Sequence, residues 1–159
     1  MGSPPAMEID TDTIYRTTIT TPKGAIVMDL DPRIAPKSVN NFVVLARQGY
    51  YDGLTFHRVE PGFVIQGGCP EGSGRGGPGY KFADEPVQGE YVVGAVAMAN
   101  AGPDTNGSQF FICLSDLSGG RLPKQYNLFG QVVEGIDAVQ ATTRGDVMET
   151  VVIEEIPVD

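Results

Sequence analysis

The sequence predicts a mainly β fold: a closed eight-stranded antiparallel β-barrel capped by two α-helices, built from residues 13–159 as one domain. Three observations lead there. About eight short β-rich runs are separated by Gly- and Pro-containing turns. Only two stretches carry a helical pattern, and strands and helices do not alternate as βαβ units. The chain has 159 residues, the usual size of one domain with one core. Closing the sheet also removes edges, which matters for a chain rich in β-branched residues.

The elements follow in order. Residues 1–12 are Pro-rich and then acidic, and read as a flexible segment whose start is an appended leader, with Met7 as the native first residue. Residues 13–20 and 25–30 flank Pro22-Lys23-Gly24 as a hairpin. Pro36 opens a helix, where proline suits the first turn, and Val39, Phe42, Val43, Leu45 and Ala46 form its apolar stripe up to Gly49. A turn at 51–53 leads into strands at 54–59 and 63–66. A glycine-rich loop covers 67–79. Strands are expected at 91–98, 109–114, 127–133 and 150–156, with a short helix at 135–142.

Composition excludes several function classes. With 11 basic and 20 acidic residues the net charge is −9, and the basic residues form no stripe. Neither nucleic acid nor an anionic membrane surface is an expected partner. No apolar run reaches the roughly 18 residues of a membrane span, and the start lacks the pattern of a secretory signal. Cys69 and Cys113 lie too far apart for a zinc motif, and two free thiols suit a reducing cytosol, so a cytoplasmic monomer is expected. With one histidine and two distant thiols, no metal is implied. Gly72 to Gly77 matches G-x-G-x-x-G, but Pro78-Gly79 follows and forbids the helix a dinucleotide site needs. No cofactor is implied.

Nucleophilic catalysis is poorly supplied. His57 is the only imidazole, no Gly-x-Ser-x-Gly elbow occurs, and Cys69 sits in a Gly-Gly-Cys-Pro turn. Asp84, Glu85 and Glu60 read as solvated surface acids. What stands out is glycine: there are 21, eight of them between Gly62 and Gly79, where the backbone must turn sharply or approach something closely. Around that stretch lie five of the seven phenylalanines, together with Arg58, Gln66, Asn100, Asn106 and Gln109. Such a set suits binding of an apolar ring and of a peptide backbone, with little machinery for covalent chemistry.

These residues resemble a known family. Phe56-His57-Arg58-Val59-x-Pro61-Gly62-Phe63-x-x-Gln66-Gly67-Gly68 is similar to the signature of the cyclophilins, peptidyl-prolyl cis–trans isomerases. So is Ala97-Met98-Ala99-Asn100-Ala101-Gly102-Pro103-x-Thr105-Asn106-Gly107-Ser108-Gln109-Phe110-Phe111-Ile112. Gly76-Gly77-x-Gly79-Tyr80-x-Phe82-x-Asp84-Glu85 and Leu128-Phe129-Gly130-Gln131-Val132-Val133 extend the likeness over residues 13–157.

The resemblance implies Arg58 as the catalytic residue and a proline pocket of Phe63, Val64, Phe111 and Leu122. It implies Gln66, Asn100 and Gln109 as holders of the substrate backbone, Ala99 and Ala101 as groove residues, and His57 as a supporting neighbour. The segment 114–126 is about two residues longer than the commonest family pattern. It puts Arg121 where many members carry a tryptophan, and Tyr126 where many carry a histidine. That tryptophan contacts cyclosporin in the family, so weakened cyclosporin binding is expected of a chain with no tryptophan. The implied substrates are proline-containing unfolded or flexible polypeptides, and the implied activity assists folding. The alternative is a non-catalytic proline-peptide binding module or chaperone scaffold using the same groove.

Overall fold

The computed structural model describes residues 3–158. Its strands are β1 Thr13–Thr21, β2 Gly24–Leu30, β3 Arg58–Glu60, β4 Val64–Gly67, β5 Ala95–Met98, β6 Phe110–Cys113, β7 Leu128–Glu134 and β8 Thr150–Pro157. Its helices are α1 Pro36–Arg47 and α2 Ile136–Ala141. All expected elements are present, and the eight strands form one antiparallel sheet in the order β3-β4-β6-β5-β7-β2-β1-β8.

β3 and β8 are the two ends of that order and are not ladder partners. The segments that lead into them do meet: an isolated bridge joins Thr55 to Val147. Backbone bonds run from Gly53 N to Met148 O (2.7 Å), Met148 N to Leu54 O (2.7 Å), and Phe56 N to Asp146 O (2.9 Å). The strand expected at 54–59 is accordingly shorter than its pattern suggested. Its first half belongs to this junction, and only its second half pairs with β4.

Alternation along β1 buries Thr13, Tyr15, Thr17, Ile19 and Thr21 on one face. Tyr15 and Ile19, with Ile26, Met28 and Leu30 of β2 and with Ile65, Val96, Met98, Phe110, Ile112 and Phe129, meet the apolar stripe of α1 in the main core. Phe42 of α1 stacks on Tyr51 at 4.6 Å and meets the edge of Phe110 at 5.3 Å.

Helix α1 begins without a side-chain cap of its own. Glu85, expected on the surface, is instead buried and performs that office. It accepts from Lys37 N (2.8 Å), Ser38 N (2.9 Å) and Ser38 Oγ (2.7 Å), a carboxylate set at the positive end of the helix. Asp84 beside it accepts from Asn106 Nδ2 at 2.9 Å. Both acids fasten the chain, because a lone helix start needs acceptors from elsewhere in the fold.

The N-terminal segment lies along α1. Glu8 N donates to Asn40 Oδ1 (2.8 Å), Asn40 Nδ2 donates to Ala6 O (3.0 Å), and Ile9 joins the core. The reading of the first residues as an appended leader concerns Met1 and Gly2 in part, and these lie outside the described residues.

Candidate active site

Strand register assembles the site. Arg58 of β3 stands opposite Gln66 of β4, Gln66 opposite Phe111 of β6, and Phe111 opposite Ala97 of β5. Directly opposed residues present their side chains on the same face, so residues far apart in sequence form one row across the sheet. Val64 opposite Cys113 shares that face, whereas Ile65 and Ile112 point into the main core.

On this outer face a second apolar cluster forms from Val64, Tyr91, Ala95, Ala97, Phe111, Cys113, Leu117, Leu122 and Leu128. The loop after β6 folds back to supply Leu117 and Leu122. Strands β5 and β6 are therefore buried on both faces, which is why Ala-Val-Ala-Met and Phe-Phe-Ile-Cys lack polar alternation.

A cavity of about 330 Å³ opens in that cluster, lined by Arg58, Phe63, Val64, Gln66, Ala99, Asn100, Phe111, Leu122 and Tyr126. All nine were named from the sequence. Arg58 lies over the Phe63 ring at 5.9 Å, and Tyr126 meets Phe111 edge-on at 5.4 Å.

The polar side is a chain of amides. Gln109 Nε2 donates to the carbonyls of Gly74 (2.9 Å) and Gly76 (3.1 Å) in the glycine-rich loop. Those carbonyls only accept, so Gln109 turns its Oε1 to Gln66 Nε2 (3.1 Å). Gln66 in turn offers its Oε1 to Arg58 Nη1 at 3.3 Å. Arg58 Nε also donates to Glu60 Oε1, at 3.4 Å. Both bonds to the guanidinium are long, so its donors are oriented but not consumed.

Asn100 spends its side chain locally: Nδ2 donates to Gln125 O (2.8 Å), and Oδ1 accepts from Gly102 N (3.1 Å). Just before it, Ala99 N donates to Gln109 O at 3.0 Å, which extends the β5–β6 ladder to the cavity's rim.

Two further hollows adjoin the cavity. One, of about 360 Å³, shares Gln66, Ala99 and Asn100 and adds Ala101, Gln109, Arg75, Lys81 and Thr105. Ala101 and Gln109 thus belong to this neighbour and not to the apolar cavity. The other is a more open cleft of about 510 Å³ that shares Arg58 and Gln66 and adds His57, Glu60, Ser73, Gly74 and Arg144. His57 faces this side cleft, its Nδ1 buried without a hydrogen-bond partner. Burial first, then the positive fields of Arg58 and Arg144, hold its imidazole below the usual histidine range.

The thiols are not poised over the cavity. Burial pushes Cys113 up to about 12, behind Phe111 in the second cluster. At Cys69, burial raises the thiol, but the N–H groups of Glu71, Gly74, Gly76 and Ser73 outweigh it and bring the net shift below the ordinary value. Gly76 N donates to its Sγ at 3.3 Å, so this thiol serves the loop that anchors Gln109. Among the described residues no group of three His, Cys, Asp or Glu side chains is arranged to hold a metal.

Three contributors escaped the sequence reading. Tyr91 holds the cavity's Tyr126 from behind, its hydroxyl donating to Tyr126 O at 2.5 Å and accepting from Tyr126 N at 3.2 Å. The carbonyls of Gly74 and Gly76 orient the amides, and Arg144 enters from the segment after α2. No local pattern marks any of them, since each acts through a contact distant in sequence.

Residues 16–158 match the family model for cyclophilin type peptidyl-prolyl cis-trans isomerase/CLD. The chain is 45% identical over 139 residues to a peptidyl-prolyl cis-trans isomerase of Helicobacter pylori, covering 85% of this chain and 84% of that one. It is 48% identical over 131 residues to peptidyl-prolyl cis-trans isomerase B of Bacillus subtilis, covering 81% of this chain and 90% of that one. A crystal structure of a Cryptosporidium parvum cyclophilin type isomerase superposes with a TM-score of 0.82 at 32% identity, over 91% of this chain and 99% of that one. The same Cryptosporidium protein crystallised in the presence of the dipeptide Ala-Pro superposes with a TM-score of 0.80 at 33% identity, over 87% and 98%.

Proposed function

The chain belongs to the cyclophilin-type peptidyl-prolyl cis–trans isomerases, and from that premise we propose that it turns X–Pro bonds of flexible polypeptides by donating from Arg58 to the prolyl nitrogen. The observation that carries this reading is a guanidinium with two long hydrogen bonds lining the same cavity of about 330 Å³ as Phe63, Phe111 and Leu122.

Rotation about an X–Pro bond crosses a barrier of about 18–20 kcal/mol because it breaks amide resonance. At the top of the barrier the nitrogen is pyramidal and its lone pair is localised, so it accepts a hydrogen bond that the planar ground state cannot. A donor aimed there stabilises the transition state alone, which is the requirement for raising the rate. Arginine stays charged at all working pH values and presents a rigid fork. One charge-assisted bond contributes about 1.5–3 kcal/mol, or roughly 10–100-fold.

The remainder is assigned to the cavity. Phe63, Phe111 and Leu122 suit the pyrrolidine ring and exclude water, which lowers the cost of losing resonance. Gln66 and the main chain at Asn100 hold one flank while the carbonyl swings, and the anchored amide chain keeps Gln66 from following it. No proton moves and no cofactor enters. The segments at 53–56 and 145–148 complete the sheet as a barrel in this reading, which keeps the four site strands from splaying. The substrates are proline-containing chains before or between folded states, and the activity serves folding in the cytoplasm.

The test is cis–trans exchange on a short Ala-Pro peptide by NMR. The intact protein is expected to broaden the exchanging resonances, and Arg58→Ala to lose about 10–100-fold in kcat/KM. Peptide binding without accelerated exchange by the intact protein would instead make this chain a binding module.

A further inference from the structure

The cations of this chain are unevenly placed. Six of its eleven Lys and Arg residues are paired with carboxylates: Arg16, Lys23, Arg33, Arg47, Arg58 and Lys124. Among the described residues the other five, Lys37, Arg75, Lys81, Arg121 and Arg144, have no carboxylate partner within 4.0 Å. That is unexpected in a chain carrying nine excess negative charges, where nearby acids are plentiful. Three of the five line the hollows beside the proline cavity: Arg75 and Lys81 on one side, Arg144 on the other.

Arg144 is the best defined of them. It lies in the segment between α2 and β8, whose backbone is tied to the strand approach carrying His57 and Arg58. Gly145 N donates to Phe56 O and Phe56 N to Asp146 O, each at 2.9 Å. The carboxylate nearest in sequence, Asp146, is already engaged by Lys23 Nζ (2.8 Å) and Thr143 N (2.9 Å). The one acid lining the cleft, Glu60, faces Arg58. Arg144 is therefore an exposed five-donor fork, fixed at its backbone, bordering an open cleft, with no carboxylate partner among the described residues. Its field reaches His57, which it disfavours from charging.

We propose that this cleft is a subsite for an acidic side chain of the substrate, so that the isomerase selects X–Pro segments with a carboxylate or phosphate held by Arg144 within a few residues of the proline. The proposal rests on the isomerase reading above and deepens it. The cleft opens from the proline cavity at Arg58 and Gln66, so a substrate seated with its ring between Phe63 and Phe111 has its flanking residues within reach. Each extended residue advances the chain by about 3.3–3.6 Å, so positions on either side of the proline sample the cleft at different reach. A guanidinium recognises carboxylate and phosphate through paired, charge-assisted bonds.

The experiment uses the whole chain and a set of Ala-Pro peptides. Each carries one Glu, phosphoserine, Lys or Ala at one of the two positions before or after the Ala-Pro pair. Exchange gives kcat/KM and chemical-shift titration gives Kd. At one position Glu is expected to exceed Ala about three- to fivefold, with phosphoserine at least as good and Lys worse. The Glu-to-Ala ratio should fall to about one in Arg144→Ala, and Lys should overtake Glu in Arg144→Glu, a reversal that no general loosening of structure produces. A ratio near one at every position, or a Glu preference unchanged in both variants, would overturn the proposal. Because the Kd ratios decide the subsite by themselves, absence of exchange on every peptide would overturn only the isomerase reading.

Discussion

At His57 the physical chemistry is one of exclusion. Burial and two neighbouring arginines disfavour charging of the ring, and its Nδ1 is buried without a hydrogen-bond partner. In the proposed mechanism the donor is the guanidinium of Arg58 beside it, and no proton moves. Turnover is therefore expected to stay flat from about pH 6.5 to 8, with a pH–rate profile as the check. Stability behaves differently. The folded pKa lies below the unfolded value of about 6.5, so the unfolded chain binds the proton first as pH falls. His57 thus costs no stability above that value and lowers stability progressively below it. Urea midpoints between pH 7 and 5 should drop less in His57→Gln than in the intact protein. Histidine in a motif was legible in the sequence; its orphaned nitrogen and the field of Arg144 on its ring were not, because both depend on segments brought together by the fold.

At the scale of elements, α1 and the loop after β6 teach opposite lessons. The helix was legible almost to the residue: proline at its start and an apolar stripe at helical spacing need no information from elsewhere. Its cap was not legible, because Glu85 arrives from 48 residues beyond Lys37. Glu85→Ala strands the N–H groups of Lys37 and Ser38 and is expected to cost about 2 kcal/mol, lowering Tm by roughly 4–8 °C in calorimetry. Glu85→Gln, which still accepts, should cost less. The loop from 114 to 126 has no periodicity, so its register rested on counting from flanking motifs. Leu122 and Tyr126 nevertheless line the cavity, while Arg121 is exposed and donates to Asp116 O at 3.2 Å. A flexible cation in place of a flat indole offers cyclosporin little apolar surface. Titration of the drug against exchange activity should show incomplete inhibition at equimolar ratio.

For the whole molecule, the sheet explains how the site is supported. Strands β5 and β6 are buried on both faces, by the main core inside and by the second apolar cluster outside, so the site's floor is part of the core. Among the described residues the exposed large apolar side chains are Met7, Val92, Val93, Val133 and Val152. A stable interface between copies typically buries about 800 Å² from each partner. Light scattering is expected to return one chain's mass, 16.9 kDa. Among the described residues no helix is long and apolar enough to cross a membrane.

Local chemistry by itself determined the elements and their kind. Gly and Pro punctuate the turns, β-branched runs extend, the stripe from Val39 to Ala46 coils, and the two long motifs at 56–68 and 97–112 carry the family resemblance and span seven of the nine residues that line the cavity. Only the tertiary structure decided which side of each strand those residues face, how the amides are turned, and what stands beside them. Antiparallel register puts Arg58, Gln66 and Phe111 in one row, and a slip of one residue would send them to the opposite face. The glycine carbonyls orient Gln109, the Glu85 carboxylate starts α1, and Arg144 borders the cleft unpaired. Each of these depends on a contact between segments distant in sequence, which comes into being when the sheet forms.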